Sequence, residues 1–251
     1  MKRILAIAQR ELSAYFATAM GWISLSGFVA LTGLIFALII TASFMQGLQM
    51  SYGGALNVNE HVVPDLFGTI AVFLLFLTPA ISMRLFAEDR KQHSIELLLS
   101  SPVSSLEIVL GKYLGAIGFL LILLIGTLHC VAIMFWISTP DPMILITNYI
   151  GVFLMGAAFL SLGMLTSACT KSQLIALVLS FGALLGLWFF TSLGGILEGS
   201  TGEIISYFSV LSHMEQMTKG LLHTKDVVYY LTFSAFFVFA THQRVEAMRW
   251  Q

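Results

Sequence analysis

Formal charge is what this sequence has least of. Asp, Glu, Lys and Arg make up 10% of its 251 residues, against 58% hydrophobic residues and a mean hydropathy of +0.92. A soluble domain carries about a quarter charged residues, so the chain reads as an integral membrane protein. Twelve basic and thirteen acidic residues leave a net charge of −1, and no overall basic field points to nucleic acid. Cysteine is nearly missing: Cys130 and Cys169 both lie in apolar stretches, which argues against a disulfide framework or a zinc site. Marks of nucleotide or hydrolytic chemistry are missing too. Gly111-Lys112 lacks the earlier glycine and the following Ser or Thr of a phosphate-binding loop, and neither H-E-x-x-H nor G-x-S-x-G occurs. No catalytic residue, no metal and no directly bound cofactor is therefore expected.

What the chain has instead is long apolar runs. A membrane helix needs about 20 apolar residues, and the runs 23–42, 66–83, 113–137, 144–169 and 174–197 meet or approach that length. A shorter run, 227–243, is free of formal charge and has Tyr229 and Tyr230 at one end as interfacial anchors. The expectation is an all-α integral membrane protein with six transmembrane helices, forming a single transmembrane domain over residues 1–251. With the N-terminus inside, ten of the twelve Lys and Arg fall on the cytoplasmic side and only Lys219 and Lys225 outside, which places both termini in the cytoplasm. The N-terminus begins like a signal peptide, but Arg10 and Glu11 interrupt its apolar run, so it is expected to be retained.

Between the spans, Ile4, Leu5, Ala8, Leu12, Tyr15 and Phe16 form an apolar stripe opposite Lys2, Arg3, Gln9, Arg10 and Ser13, the pattern of an N-terminal interfacial helix. Residues 46–65 read as an outer loop rich in Gly and Asn. Ile204, Phe208, Leu211, Met214, Met217 and Leu221 recur at helical spacing and predict a short outer amphipathic helix before the last span. The longest inner connection, Arg84 to Lys112, concentrates eight formally charged residues. Through Leu99 it reads as a helix extending the second span, with Arg84, Glu88 and Lys91 on one face. Ser100, Ser101 and Pro102 end it, and Ser104 with Glu107 forms a capping-box pattern that starts the next helix.

No Asp, Glu, Lys or Arg lies deep in the spans, where each would cost about 2.5–3.5 kcal/mol, and this argues against a proton- or sodium-coupled carrier. His129 is the deep ionisable side chain. It reads as a neutral imidazole hydrogen-bonded to a neighbouring helix, with a place on a transport pathway as the alternative. Pro79 is expected to kink the second span; that kink serves either as a hinge above the hairpin or only as a packing feature. Gly111 with Gly115, and Gly182 with Gly186, have the spacing that lets helices approach closely.

The run R-L-F-A-E-D-R-K-Q-H-S-I-E-L-L-L-S-S-P-V-S-S-L-E-I-V-L-G-K from Arg84 to Lys112, preceded by Ser82-Met83, resembles the signature of permease subunits of type-two ABC exporters. More narrowly it resembles the gliding-motility-associated ABC transporter permease family, with Asp89 and Ser94 as mild departures. H-M-E-Q-M-T-K-G-L-L-H-T-K-D-V-V-Y-Y-L, from His213 to Leu231, resembles the segment before that family's last span, and Arg249-Trp250 resembles its end. The resemblance covers essentially the whole chain. It implies a multi-pass permease of the bacterial inner membrane, a homodimeric or heterodimeric core, and separate cytoplasmic ABC ATPase subunits that hold ATP and Mg2+. It also implies a cytoplasmic coupling hairpin in which Glu88, Asp89, Arg90, His93, Glu96 and Leu97 meet the ATPase. Gliding systems add a companion membrane subunit with a large outer domain. A membrane scaffold that passes ATPase motion to an outer partner, with nothing crossing the bilayer, is the alternative reading.

Overall fold

The computed structural model describes residues 2–49, 58–59, 61–91, 103–196 and 209–249, and among these it is all-α. In chain order the helices are α1 (Lys2–Ala17), α2 (Ala19–Gln49), α3 (Val62–Ser82), α4 (Arg84–Lys91), α5 (Ser105–Gly126), α6 (Leu128–Ile137), α7 (Pro142–Cys169), α8 (Gln173–Ile196), α9 (Val210–Thr218) and α10 (Thr224–Arg249). Five stretches among the described residues are long and apolar enough to cross a membrane: Ala19–Met45, Val62–Lys91, Ser105–Ile137, Pro142–Cys169 and Gln173–Phe190. Two of them join a pair of helices, α3 with α4 and α5 with α6. The chain is thus a multi-pass membrane protein. α10 has 26 residues, a length of about 39 Å at 1.5 Å per residue. The charges at its two ends and its Thr, Ser, His and Gln residues keep it outside those five.

Local chemistry sets several of the boundaries. Ser104 and Glu107 form the reciprocal capping box at the start of α5, with Glu107 N donating to Ser104 Oγ at 3.2 Å and Ser104 N donating to Glu107 Oε2 at 3.0 Å. Asp141 Oδ1 accepts from Met143 N at 2.8 Å, and Pro142 occupies the first turn of α7, where no amide donor is needed. α9 ends at Gly220, whose φ of 80° suits glycine; Gly220 N donates to Met217 O and Leu221 N to Gln216 O, which satisfies carbonyls left over by the last turn.

α7 is the central helix. It packs against α3, α4, α5, α8, α9 and α10 and is buried almost without interruption from Met155 to Met164. Lipid tails are as apolar as leucine, so close packing must substitute for a hydrophobic drive between membrane helices. Glycines on α7 supply it: a side chain at Gly156 would meet Leu120 of α5 and Leu74 of α3, and one at Gly163 would collide with Ser82 of α3. Buried hydroxyls close back on their own helix, as Thr78 does on Leu74 O at 2.7 Å and Ser161 on Ala158 O at 2.7 Å.

Both peripheral helices pack on the bundle. α1 docks on α5, where Gly111 admits Ile7 and Gly115 admits Ala8 and Glu11. Leu5, expected on its apolar stripe, is exposed, whereas Tyr15 is buried and stacks on Phe119 with ring centroids 4.7 Å apart. α9 likewise sinks into the bundle through Val210, His213, Met214 and Met217, the last two against Gly151 of α7. Ile204 and Phe208 of the expected stripe lie outside the described residues, and Leu221 is exposed. α10 runs beside α7 from α9, where Asp226 meets His213, to the opposite end, where Arg244 is near enough to Arg90 to repel its charge.

Candidate functional site

The second candidate span does not end where its apolar residues end. Pro79 has no amide to give and so breaks the hydrogen-bond ladder of α3 from within. The helix nevertheless continues to Ser82, and Met83 N donates to Pro79 O at 2.9 Å before α4 begins. The first turn of α4 then needs acceptors for its amides. Ser167, from α7, provides one: its Oγ accepts from Phe86 N at 3.1 Å and Ala87 N at 3.0 Å and donates to Met83 O at 2.8 Å. One hydroxyl thus uses its donor and both lone pairs to fasten α4 to the central helix.

The other end of α4 is tied to α7 as well. Arg90 Nη1 donates to Ala168 O at 2.8 Å, satisfying a carbonyl of the last turn of α7 and placing a cation at the negative end of that helix. Leu85, Phe86 and Ala87 are buried between these two attachments. Glu88 accepts from Arg84 Nε at 2.9 Å, one turn away, and Arg84 Nη1 also reaches Thr18 Oγ1 at 3.1 Å.

Asp89 leads to the most enclosed charge of this region. Lys112, the last charged residue before the apolar run of α5, is 2% exposed, and its Nζ lies 2.7 Å from Asp89 Oδ2 and 2.7 Å from Glu11 Oε1 of α1. The ammonium also sits 5.4 Å from the ring centre of Phe86. A cation taken out of water is tolerable here because two carboxylates surround it. Beside this triad Tyr15 donates to Ile81 O at 3.1 Å. Burial, reinforced by Glu11, pushes its phenol well above the usual tyrosine range and keeps it a neutral donor. α4 is therefore joined by polar contacts to α5, to α7 and to Thr18 between α1 and α2, and the last turn of α3 is tied to α1.

A family model described as ABC-2 family transporter protein matches residues 5–242. The chain belongs to the ABC-2 transporter family. No curated protein matches it significantly. Domains of this family are the membrane components of ABC transporters and not their ATP-binding subunits, so membership implies a bilayer setting and an ABC ATPase partner.

In this ABC-2 permease the residues expected to couple to the ATPase divide into two groups. Glu88, Asp89 and Arg90 share α4, each half-buried and each engaged with a neighbour in the chain, while Lys91 is exposed. His93, Glu96 and Leu97, with the turn at Ser100–Pro102, lie outside the described residues. Pro79 is buried one turn before the junction at Met83. His129 is far from it in α6, on a face open to the bundle exterior, where Gly33 of α2 makes room for its ring. Its Nδ1 lies 2.7 Å from Gly126 O and its Nε2 3.3 Å from Cys130 Sγ, so the ring closes the helix break at Thr127.

Sequence reasoning missed Glu11, Arg84, Lys112 and Ser167 as members of this site. Glu11 and Lys112 carried a weak signal, since each is a charge at a membrane boundary facing an apolar run. Ser167 carried none, because a serine in an apolar helix is ordinary until another helix end is found against it.

Proposed function

We propose that this chain is the permease subunit of an ATP-driven exporter in the bacterial inner membrane, and that α4 receives the motion of a separate cytoplasmic ATPase. The observation that carries the proposal is the attachment of α4: it continues the α3 span and is fastened by Ser167, Arg90 and Asp89 to α7 and α5. A displacement of α4 is thereby delivered to three helices of the bundle instead of being absorbed in a loop. ATP and Mg2+ belong to the ATPase, whose contact on the permease is formed by Glu88, Asp89, Arg90, His93, Glu96 and Leu97, with Pro79 as the hinge above it.

α10 serves as a sixth span, supported by its length and by its course along α7 from the α9 end to Arg90. With six spans the distribution of Lys and Arg puts both termini in the cytoplasm, on the side of α4. Residues 1–251 then form one permease domain that pairs with a second copy or a paralogous subunit. The hairpin residues favour the gliding-motility-associated subfamily, with its companion outer-domain subunit as a further partner.

The test is co-purification of the tagged permease with a candidate ABC ATPase from the same organism, followed by reconstitution in vesicles. Substitutions at Glu88 and Arg90 are expected to weaken ATPase association without preventing membrane insertion. Undiminished association would remove α4 from the contact, and ATP hydrolysis without movement of any lipid or polymer cargo would favour the scaffold.

A further inference from the structure

The junction encloses a polar cavity of about 150 Å3 between α1, α4 and α5, lined by Arg10, Glu11, Arg84, Glu88, Asp89 and Lys112. Coupling needs the contacts around this space but not the space itself. Its lining carries three cations and three carboxylates already paired with one another, so it is neutral as a whole and suits a ligand that itself carries both signs. The depth is also informative. Arg84 is the first formal charge after the apolar run of α3, and Lys112 is the last before that of α5. Trp22, 58% exposed at the start of α2, donates through Nε1 to Phe16 O at 3.0 Å. Such residues mark the headgroup layer of a bilayer.

We infer that this cavity binds a zwitterionic phosphate–ammonium headgroup, that of a phosphatidylethanolamine in the adjoining leaflet. Arg10, 58% exposed and paired only loosely with its neighbour Glu11 at 3.2 Å, stands at the rim and takes the phosphate together with Arg84. The Arg84 guanidinium has five N–H donors; its partners are Glu88, Thr18 and, at 4.0 Å, the weak acceptor Met20 Sδ, which leaves donor capacity for an anion. The carboxylates of Glu11 and Glu88 accept from the primary ammonium, a donor that a choline headgroup lacks. The inference rests on the membrane placement of the chain and is independent of ATPase coupling.

The test needs no ATPase. The purified chain is placed in nanodiscs containing equal parts of phosphatidylethanolamine, phosphatidylcholine and phosphatidylglycerol, then extracted with mild detergent, and co-retained lipid is quantified by mass spectrometry. Preferential retention of phosphatidylethanolamine is expected, falling about tenfold in Arg10→Gln, the effect of losing one charge-assisted hydrogen bond. Arg10→Gln removes an exposed side chain and is expected to melt as wild type does; Arg84→Gln should lose retention too, with its melting temperature measured alongside. Soluble glycerophosphoethanolamine should displace the lipid only in large excess. Equal retention of the three lipids, preference for phosphatidylglycerol, unchanged retention in Arg10→Gln, or soluble headgroup binding as tightly as the lipid would each overturn the assignment.

Discussion

Replacing Lys112 with methionine tests the junction most directly. Methionine keeps most of the stem packed beside Phe86 but removes the ammonium that lies 2.7 Å from both Glu11 and Asp89. The two carboxylates are then left facing each other beside an apolar wall. Breaking a buried ion pair from one side costs about 3–5 kcal/mol. Glu11 and Asp89 retain 13% and 17% exposure and can turn partly to water, so the lower end, about 3 kcal/mol, is expected. For a chain of this size that corresponds to roughly 6–12 °C in melting temperature, at about 2–4 °C per kcal/mol. Thermal unfolding in one detergent, followed by tryptophan fluorescence, reads the shift. The triple variant Glu11→Gln, Asp89→Asn, Lys112→Met removes the stranded charges as well and should recover most of the loss. A single variant within about 0.5 kcal/mol of wild type, the range of ordinary surface changes, would refute the reasoning. So would a triple variant no more stable than the single.

Ser167→Ala deprives two amides of α4 of their shared acceptor; the loss of such a cap, about 1 kcal/mol, should lower ATPase stimulation by the permease more than it lowers melting temperature. Gly163→Leu forces α7 away from Ser82, and an overpacking cost of about 1–3 kcal/mol should appear as reduced yield of folded protein in size-exclusion chromatography. At the α9–α10 end, His213→Ala removes the partner 2.6 Å from Asp226 Oδ1, where Asp226 is fully buried. A stability loss of about 1–3 kcal/mol is expected and should be measurable by thermal melting, whereas Glu215→Ala on the exposed side of α9 should leave the melting temperature unchanged.

Much of the architecture was legible because membrane insertion imposes a simple rule on sequence. Five apolar runs had to be helices, since no other backbone arrangement of a single segment satisfies its own polar groups in lipid. The capping box at Ser104 and Glu107 was equally legible, because every participating atom lies within four residues. α10 shows where the rule loses force: the proposal that it is a sixth span draws on its neighbours α7 and α9 and not on its own hydropathy. The α1 stripe shows another limit. An amphipathic helix has the same pattern whether its apolar face meets lipid or protein, and only Gly111 and Gly115, more than a hundred residues away along the chain, select the second.

The sequence by itself determined the membrane setting, the class of fold, the charged segment after the second span and the family pattern. These follow from composition and from contacts local in the chain. Only the tertiary structure decided which charges meet. Lys112 is neutralised by Glu11 and Asp89, α4 takes its cap from Ser167, and Arg90 closes the end of α7. Such pairings depend on how separate helices are placed against one another, and that is set by packing around the small residues of α7 and α5. Helical periodicity reports which face of a helix is apolar, but it carries no information about which helix will cover it.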